Sequence, residues 1–255
     1  MAYFKGEFYS KELGLDTGVG VIIPDSRGAK NLSGPYRVLY LLHGRGDANG
    51  SWARLTSIER YALEHDIAVV MPEVQHSFYC DMKYGMNYFS YVSKELPARM
   101  HNMFRLSTKR QDAFVMGLSM GGFGALKLGL NFPGRYAGVG AFSSAVGVFA
   151  DKSDKFLQNK HNYNEHVAIF GPELEVTEVD DLAALAGKMS LLPKEKQTKF
   201  FVTCGLQDGL LANNRKLMDE FKKVNLDLEY REWEGIHGWD FWDESVKQAL
   251  DYFLG

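Results

Sequence analysis

Length, composition and charge already exclude several classes of protein for this chain of 255 residues. Hydrophobic residues make up 45% and charged residues 24%, as in globular proteins, while the net charge of −3 and the absence of a basic run argue against nucleic acid or an anionic membrane as partner. Because only two cysteines are present and no apolar run reaches membrane-spanning length, we predict a cytoplasmic protein without a disulfide framework.

Strand-like and helix-like segments alternate along most of the chain. Residues 4–9 and 18–23 alternate in polarity around a Gly- and Asp-containing turn and predict a hairpin. Further strands are predicted at 36–42, 66–72, 112–118, 138–143, 198–204 and 228–233. Helices are predicted at 53–64, 90–104, 120–130, 213–224 and 241–252. The alternation predicts an α/β fold, with a mostly parallel sheet covered by helices on both faces.

One segment, from about residue 145 to 193, interrupts this alternation. It is polar and aromatic, contains no strong strand and is longer than a simple loop. We predict a small, mainly helical, cap-like insertion within a single domain that spans residues 1–255. Its two histidines, His161 and His166, lack the spacing of a zinc motif and have no evident third ligand, so no metal site is predicted.

The stretch Gly-Leu-Ser-Met-Gly at 117–121 matches the pattern G-x-S-x-G. It follows a predicted strand and opens a predicted helix, which is the context that a nucleophilic serine on a sharp turn requires. Such a turn exposes the Ser119 hydroxyl at the positive end of the helix. A glycine-rich turn with a bystander serine would give the same short pattern, so the assignment depends on finding partners for Ser119.

A serine nucleophile needs a base and an orienting carboxylate, which follow it along the chain in the order Ser, acid, His. His161, His166 and His237 are the histidines after Ser119. His237 follows the last predicted strand and precedes the last helix, at the edge where open α/β sheets form their sites. We therefore predict that His237 is the base.

The acid is expected on the loop after the penultimate predicted strand, where Asp208 occurs. Asp208 could also serve only as a helix N-cap. Other candidates are Asp227, Asp240 and Asp243. Asp227 precedes the last strand and belongs to its opposite end, whereas the other two start the final helix, where the helix dipole favours acids. We predict Asp208.

Two backbone N–H groups should stabilise the negative charge that develops on the substrate oxygen. One is expected from Met120, the residue after the nucleophile. The other is expected from Arg45, because an apolar strand runs directly into His43-Gly44-Arg45-Gly46. We predict that His43 is a buried hydrogen-bonding residue that fixes this loop.

The chain resembles the tributyrin-esterase branch of the esterase D-like α/β-hydrolases over nearly its whole length. Five stretches carry the resemblance: LLHGRGDANGSW, YGMNYFSYVSKELP, GLSMGGFGALKLGL, GLQDGLLANNRKL and GIHGWDFWDESV. The resemblance implies an α/β-hydrolase fold and a catalytic triad of Ser119, Asp208 and His237. It also implies oxyanion donors at the N–H groups of Arg45 and Met120.

The motifs and the resemblance together predict a serine carboxylesterase that forms an acyl-enzyme and requires no cofactor or metal. Its partner would be a small ester with a short acyl chain, or a hydroxycinnamoyl ester if aromatic residues such as Trp239 form a flat pocket wall. Alternatives are an S-formylglutathione hydrolase, an acyltransferase, or an inactive hydrolase-fold binding protein. S-formylglutathione hydrolases usually carry His where this chain has Leu118. A homo-oligomer is compatible with all of these.

Overall fold

The computed structural model describes residues 1–25, 34–148 and 158–255. These residues form one mixed sheet, and every predicted strand is present to within a few residues at its ends. The strands are β1 (Ala2–Ser10), β2 (Leu15–Ile23), β3 (Arg37–Leu42), β4 (Ile67–Pro72), β5 (Ala113–Leu118), β6 (Gly138–Phe142), β7 (Lys199–Gly205) and β8 (Asp227–Trp233).

The order of the strands across the sheet is β1-β2-β4-β3-β5-β6-β7-β8. β1 and β2 form the predicted hairpin, and β2 pairs antiparallel with β4. All other neighbouring strands pair in parallel, so β3, β5, β7 and β8 end at the same edge of the sheet. Loops that follow these strands carry the predicted site residues and therefore meet at this edge.

The α-helices of the described residues lie between the strands, largely where they were predicted. They are α1 (Ser51–Leu55), α2 (Ile58–Glu64), α3 (Tyr88–Ser90), α4 (Leu96–Phe104), α5 (Met120–Asn131), α6 (Lys160–Phe170), α7 (Leu182–Ser190), α8 (Leu211–Lys222) and α9 (Trp239–Leu254). A π-helical turn, Tyr91–Glu95, joins α3 to α4. The prediction of a single helix at 53–64 is wrong in one respect, because Thr56 is extended and separates α1 from α2.

The sheet is covered on both faces, and each face has its own core. Buried side chains of α4, α5, α7 and α8 pack on one face. Those of α1, α2 and α9 pack on the other, with Trp52, Phe241 and Val246 among them. The fold is therefore the predicted α/β-hydrolase architecture, with a sheet protected from water on both sides.

Helices α6 and α7 lie within the segment at 145–193, of which residues 149–157 lie outside the described residues. Asn159 and Asp181 cap the two helices by accepting hydrogen bonds from backbone N–H groups. A buried ion pair between Lys127 of α5 and Asp180 ties this segment to the helix that follows Ser119. The cap-like character of the segment stays a prediction.

Candidate active site

Ser119 lies on the turn between β5 and α5 in a backbone conformation that L-residues rarely adopt, with φ 51° and ψ −116°. Two backbone hydrogen bonds hold this turn: the Ser119 N–H donates to Phe142 O over 2.8 Å, and the Ala145 N–H donates to Ser119 O over 2.9 Å. The start of α5 lies so close to the backbone at the end of β3 that position 121 must be glycine, because a Cβ there would lie 2.7 Å from the His43 carbonyl oxygen. The strand, turn and helix around Ser119 are therefore rigidly defined.

Three side chains that are far apart in sequence form a continuous series of hydrogen bonds at the edge where the parallel strands end. His237 Nε2 lies 3.0 Å from Ser119 Oγ. His237 Nδ1 lies 2.8 Å from Asp208 Oδ2. The neutral imidazole tautomer with its proton on Nδ1 satisfies both contacts, because Nδ1 then donates to the carboxylate and Nε2 accepts from the hydroxyl. This is the geometry in which an imidazole can accept the proton of a serine.

The Asp208 side chain is fully buried, whereas that of His237 is 35% exposed. Asp208 Oδ1 also accepts a hydrogen bond of 2.8 Å from the Leu210 N–H. Burial by itself raises the pKa of Asp208, but the hydrogen bonds from His237 and Leu210 outweigh burial and keep the pKa below the usual aspartate range. Asp208 is thus held as a carboxylate.

The other aspartates considered as the acid have different surroundings. Asp243 accepts hydrogen bonds from the Ser57 N–H (2.9 Å) and from the Tyr61 hydroxyl (3.0 Å), so it fixes the start of α2. Asp227 pairs with Lys199 at the beginning of β8, the end of the strand opposite the site. Asp240 is exposed in the first turn of α9.

The loop after β3 lies directly beside Ser119. A Cβ placed on Gly44 would lie 3.5 Å from Ser119 Cβ and 2.5 Å from Leu118 Cδ1, so the loop runs next to the serine turn and leaves no room for a side chain at position 44. His43 is 1% exposed, as predicted: its Nδ1 lies 2.8 Å from Gly44 O, and its Nε2 accepts a hydrogen bond of 3.1 Å from the Val74 N–H. Met120 is the first residue of α5.

The side chain of Arg45 binds the predicted insertion, which sequence reasoning did not anticipate. Arg45 Nε and Nη2 donate to the two carboxylate oxygens of Glu165 on α6, and Nη2 also donates to Asn162 Oδ1 over 3.0 Å. His76 Nδ1 lies 2.9 Å from Glu165 Oε2. Burial raises the pKa of Glu165, but Arg45 and His76 outweigh it and lower this pKa. No local sequence signal connects residues so far apart.

Aromatic side chains form one side of the site. The Trp239 ring makes edge-to-face contacts with Trp52 and with Trp242, each with ring centroids 5.3 Å apart. Trp242 in turn lies edge-to-face with the His237 imidazole at 4.9 Å. The sequence indicated several aromatic residues for the pocket, Trp52 and Trp242 among them, and favoured Trp239; the ring that contacts His237 is that of Trp242, and the role of Trp239 as a pocket wall stays a prediction.

The histidines of the insertion have structural partners. His166 is buried, with Nδ1 2.9 Å from Asn162 O. Within residues 1–25, 34–148 and 158–255, no three His, Cys, Asp or Glu side chains are grouped as a metal site would require. In the same ranges, no helix combines the length and apolar character needed to cross a bilayer.

Comparison with known proteins points to esterases. The chain is 32% identical over 263 residues to an acetyl esterase of Caldicellulosiruptor saccharolyticus, covering 99% of this chain and 98% of that protein. Among solved structures, it is similar to FphF, a fluorophosphonate-binding serine hydrolase of Staphylococcus aureus (TM-score 0.85, 30% identity, 100% and 98% of the two chains). It is also similar to the S-formylglutathione hydrolase FrmB of Staphylococcus aureus (TM-score 0.83, 31% identity, 100% and 99% coverage).

The match to a family model covers almost the whole chain, from residue 10 to residue 253. The matched range includes the serine turn, the loop after β3, the loop that carries Asp208 and the loop that carries His237. The family match and the similarity to the two solved structures therefore cover the same residues. We conclude that the chain belongs to the Esterase family.

Proposed function

We propose that the protein is a serine carboxylesterase that hydrolyses small esters through an acyl-enzyme on Ser119. The observation that carries this proposal is the pair of hydrogen bonds that joins Ser119 to His237 and His237 to Asp208. A hydroxyl, an imidazole and a carboxylate in this order are sufficient to generate a nucleophile near neutral pH.

In the acylation step, Ser119 Oγ attacks the ester carbonyl carbon while its proton moves to His237 Nε2. Asp208, held as a carboxylate, fixes the Nδ1–H tautomer and stabilises the imidazolium that forms. The tetrahedral intermediate collapses as the bond to the alcohol oxygen breaks, and His237 returns the proton to the departing alcohol. The products of this step are the free alcohol and an acyl ester of Ser119.

In the deacylation step, His237 accepts a proton from water, and the resulting hydroxide attacks the acyl carbon. Collapse of the second intermediate releases the acid and returns the proton to Ser119 Oγ. In both steps the N–H groups of Arg45 and Met120 would stabilise the oxyanion, supported by the short approach of Gly44 to Ser119 and by the position of Met120 at the start of α5. These steps use protein groups and water.

We propose esters with short acyl chains as the main substrates, because the acetyl esterase relative is 32% identical over nearly the full length of both chains. The half-buried Trp239 ring, which packs against the Trp242 ring beside His237, favours a second group of substrates, hydroxycinnamoyl esters, whose flat acyl group would lie against an aromatic side chain. We also propose that the enzyme acts in the cytoplasm.

S-formylglutathione hydrolysis is the second candidate, favoured by the 31% identity to a hydrolase of that description. A thioester would react through the same acyl-enzyme, so the two candidates differ in the leaving group. An acyltransferase would differ only in the final acceptor, an alcohol in place of water.

The test is a substrate panel with wild-type enzyme and Ser119→Ala. We expect turnover of 4-nitrophenyl acetate and a decline as the acyl chain lengthens, with methyl ferulate and S-formylglutathione measured beside it. A fluorophosphonate should label Ser119 and no other residue. A fully active Ser119→Ala variant, or labelling of another serine, would contradict the proposal.

Added alcohol acceptors would divert the acyl group if transfer dominates. A wild-type protein that is neither labelled by the fluorophosphonate nor able to hydrolyse esters would be an inactive hydrolase-fold binding protein.

A further inference from the structure

β1 is the last strand at one end of the sheet, and no strand pairs with its outer edge among the described residues. Over all nine residues it pairs one-to-one with β2, from Ala2 opposite Ile23 to Ser10 opposite Leu15, without a bulge. Native proteins usually protect such an edge with prolines, bulges or several charges, because its free N–H and C=O groups can pair with another chain.

The sequence of this strand is symmetric in chemical type about Gly6. Residues 3–9 read Tyr-Phe-Lys-Gly-Glu-Phe-Tyr, so the two halves mirror each other except that Lys on one side corresponds to Glu on the other. If two copies lie antiparallel with Gly6 opposite Gly6, then Tyr3 faces Tyr9, Phe4 faces Phe8, and Lys5 faces Glu7. Apart from the central Gly6 pair, each facing pair within residues 3–9 is then aromatic with aromatic or positive with negative, and each of these pairs occurs twice.

Most of the side chains needed for this pairing are exposed. Phe4 is 49% and Tyr9 56% exposed, and the three central residues, Lys5 to Glu7, are exposed as well, whereas Tyr3 and Phe8 are half-buried. Gly6 leaves room at the centre, since a Cβ there would meet no atom within 4 Å. Edge pairing in this register would therefore bring complementary groups together without a clash at its midpoint.

The strand is also held in place before any partner arrives. Glu95 accepts hydrogen bonds from the Ser10 hydroxyl (2.6 Å) and from the N–H groups of Lys11 and Glu12, which fixes the turn that follows β1. The Arg99 guanidinium lies 5.0 Å from the centre of the Phe8 ring. A pre-ordered edge loses little conformational freedom on pairing.

The two faces of β1 would contribute different contacts. The Phe4 ring lies 5.6 Å from that of Phe104 on α4, and Phe8 lies 6.2 Å from Tyr91, so both phenylalanines are on the face covered by α4. Lys5 Nζ lies 5.2 Å from the centre of the Tyr3 ring on the opposite face. An antiparallel pair would thus join phenylalanines on one face, and tyrosines and charges on the other.

We infer that β1 is the interface of a symmetric homodimer, in which a second copy of this chain pairs with it antiparallel about Gly6. The two-fold axis passes through Gly6, so the same residues serve on both copies, as a closed dimer requires. The two eight-stranded sheets become one continuous sheet, and the free edge at β1 disappears. The interface lies at the opposite end of the sheet from β7 and β8, which support Asp208 and His237.

Charge reversal tests both the interface and its register. Sedimentation equilibrium of the full chain should show a concentration-dependent dimer. Lys5→Glu or Glu7→Lys alone should raise its Kd about tenfold or more, because each places like charges opposite each other twice. The double variant K5E/E7K should restore the wild-type Kd. Lys222→Glu, which changes an exposed lysine on α8, is the matched control and should leave the Kd unchanged.

Crosslinking tests the central pair directly. Facing residues of antiparallel strands bring their Cβ atoms to about 4.5–5.5 Å, close enough for a disulfide after a small adjustment. Gly6→Cys should form a covalent dimer on mild oxidation, whereas Gly134→Cys, at an equally uncrowded exposed glycine, should not. Both native cysteines are buried and should not interfere.

A wild-type protein that stays monomeric at millimolar concentration would overturn the inference. So would a dimer whose Kd is unchanged by both single charge reversals, because its interface would then lie elsewhere. Ester hydrolysis should be the same in every variant, which separates this inference from the proposed function. If activity is absent but the charge-swapped pair behaves as expected, the dimer stands and the proposed reaction does not.

Discussion

Arg45 and Glu165, 120 residues apart in the chain, are joined by two hydrogen bonds of 2.7 and 2.9 Å. The first residue belongs to the loop that passes Ser119, and the second to α6. If the Arg45 N–H is an oxyanion donor, Glu165 positions it through the side chain. We expect Glu165→Gln to lower kcat roughly tenfold with little change in KM, because an oxyanion contact strengthens in the transition state.

The comparison for that variant is Glu178→Gln, which removes a carboxylate whose side chain is 92% exposed. Steady-state kinetics with one short-chain ester would measure both. An equal loss in the two variants, or a rise in KM with kcat preserved, would show that Glu165 does not act on the oxyanion loop.

Asp208→Asn should lower kcat/KM by about three to four orders of magnitude while preserving the fold. An amide can donate a hydrogen bond to His237 Nδ1 and so favours the tautomer whose Nε2 cannot accept the Ser119 proton. Asp240→Asn, at an exposed position on α9, should retain wild-type activity. Circular dichroism would verify folding. Substantial activity in Asp208→Asn would show that another residue serves as the acid of the triad.

Ser119→Gly should be more stable than Ser119→Ala, although both should be inactive. With φ at 51° and ψ at −116°, a side chain at position 119 is strained, and only glycine adopts this conformation freely. We expect the free energy of unfolding of the glycine variant to exceed that of the alanine variant by about 1 kcal/mol. Urea denaturation of both variants measures this difference, and equal stabilities would mean that the turn relaxes without strain.

Glu73 should make the protein's stability sensitive to acid. Burial raises the pKa of Glu73, but the contact with His43 and the N–H groups of Gln75 and Asn49 outweigh burial and lower the pKa to about 2. A carboxyl whose pKa is lower in the folded state stabilises the protein above its unfolded pKa of about 4.3 and loses that contribution as pH falls towards the folded value.

The stability difference between wild type and Glu73→Gln should therefore be largest near neutral pH and shrink between about pH 4 and 2. Urea unfolding of both proteins at several pH values measures it. Glu59→Gln, at a titratable group on α2, provides the comparison. A difference that stays constant across this range would mean that the pKa of Glu73 is the same in the folded and unfolded states.

Local patterns predicted the strands and the approach of Ser119, Asp208 and His237, because each of these residues lies within a few residues of the end of a strand and parallel strands end at one edge. The same reasoning could not find the Arg45–Glu165 pair or the buried pair of Lys127 with Asp180. Such contacts depend on how α6 and the segment before α7 lie on the sheet, and the local periodicity of the sequence does not predict that position. The division of the helix at Thr56 was missed for a related reason, since Asp243 from α9 binds the Ser57 N–H.

The edge position of β8 has a consequence for heat inactivation. In the described sheet this strand pairs with β7 alone, and none of its residues is fully buried, yet the loop that carries His237 begins where it ends. Edge strands of this kind open locally at a lower free-energy cost than central strands. Warming should therefore detach the base from Ser119 reversibly while β3 and β5 remain protected from amide hydrogen exchange. The enzyme would lose turnover below its melting temperature and recover it on cooling.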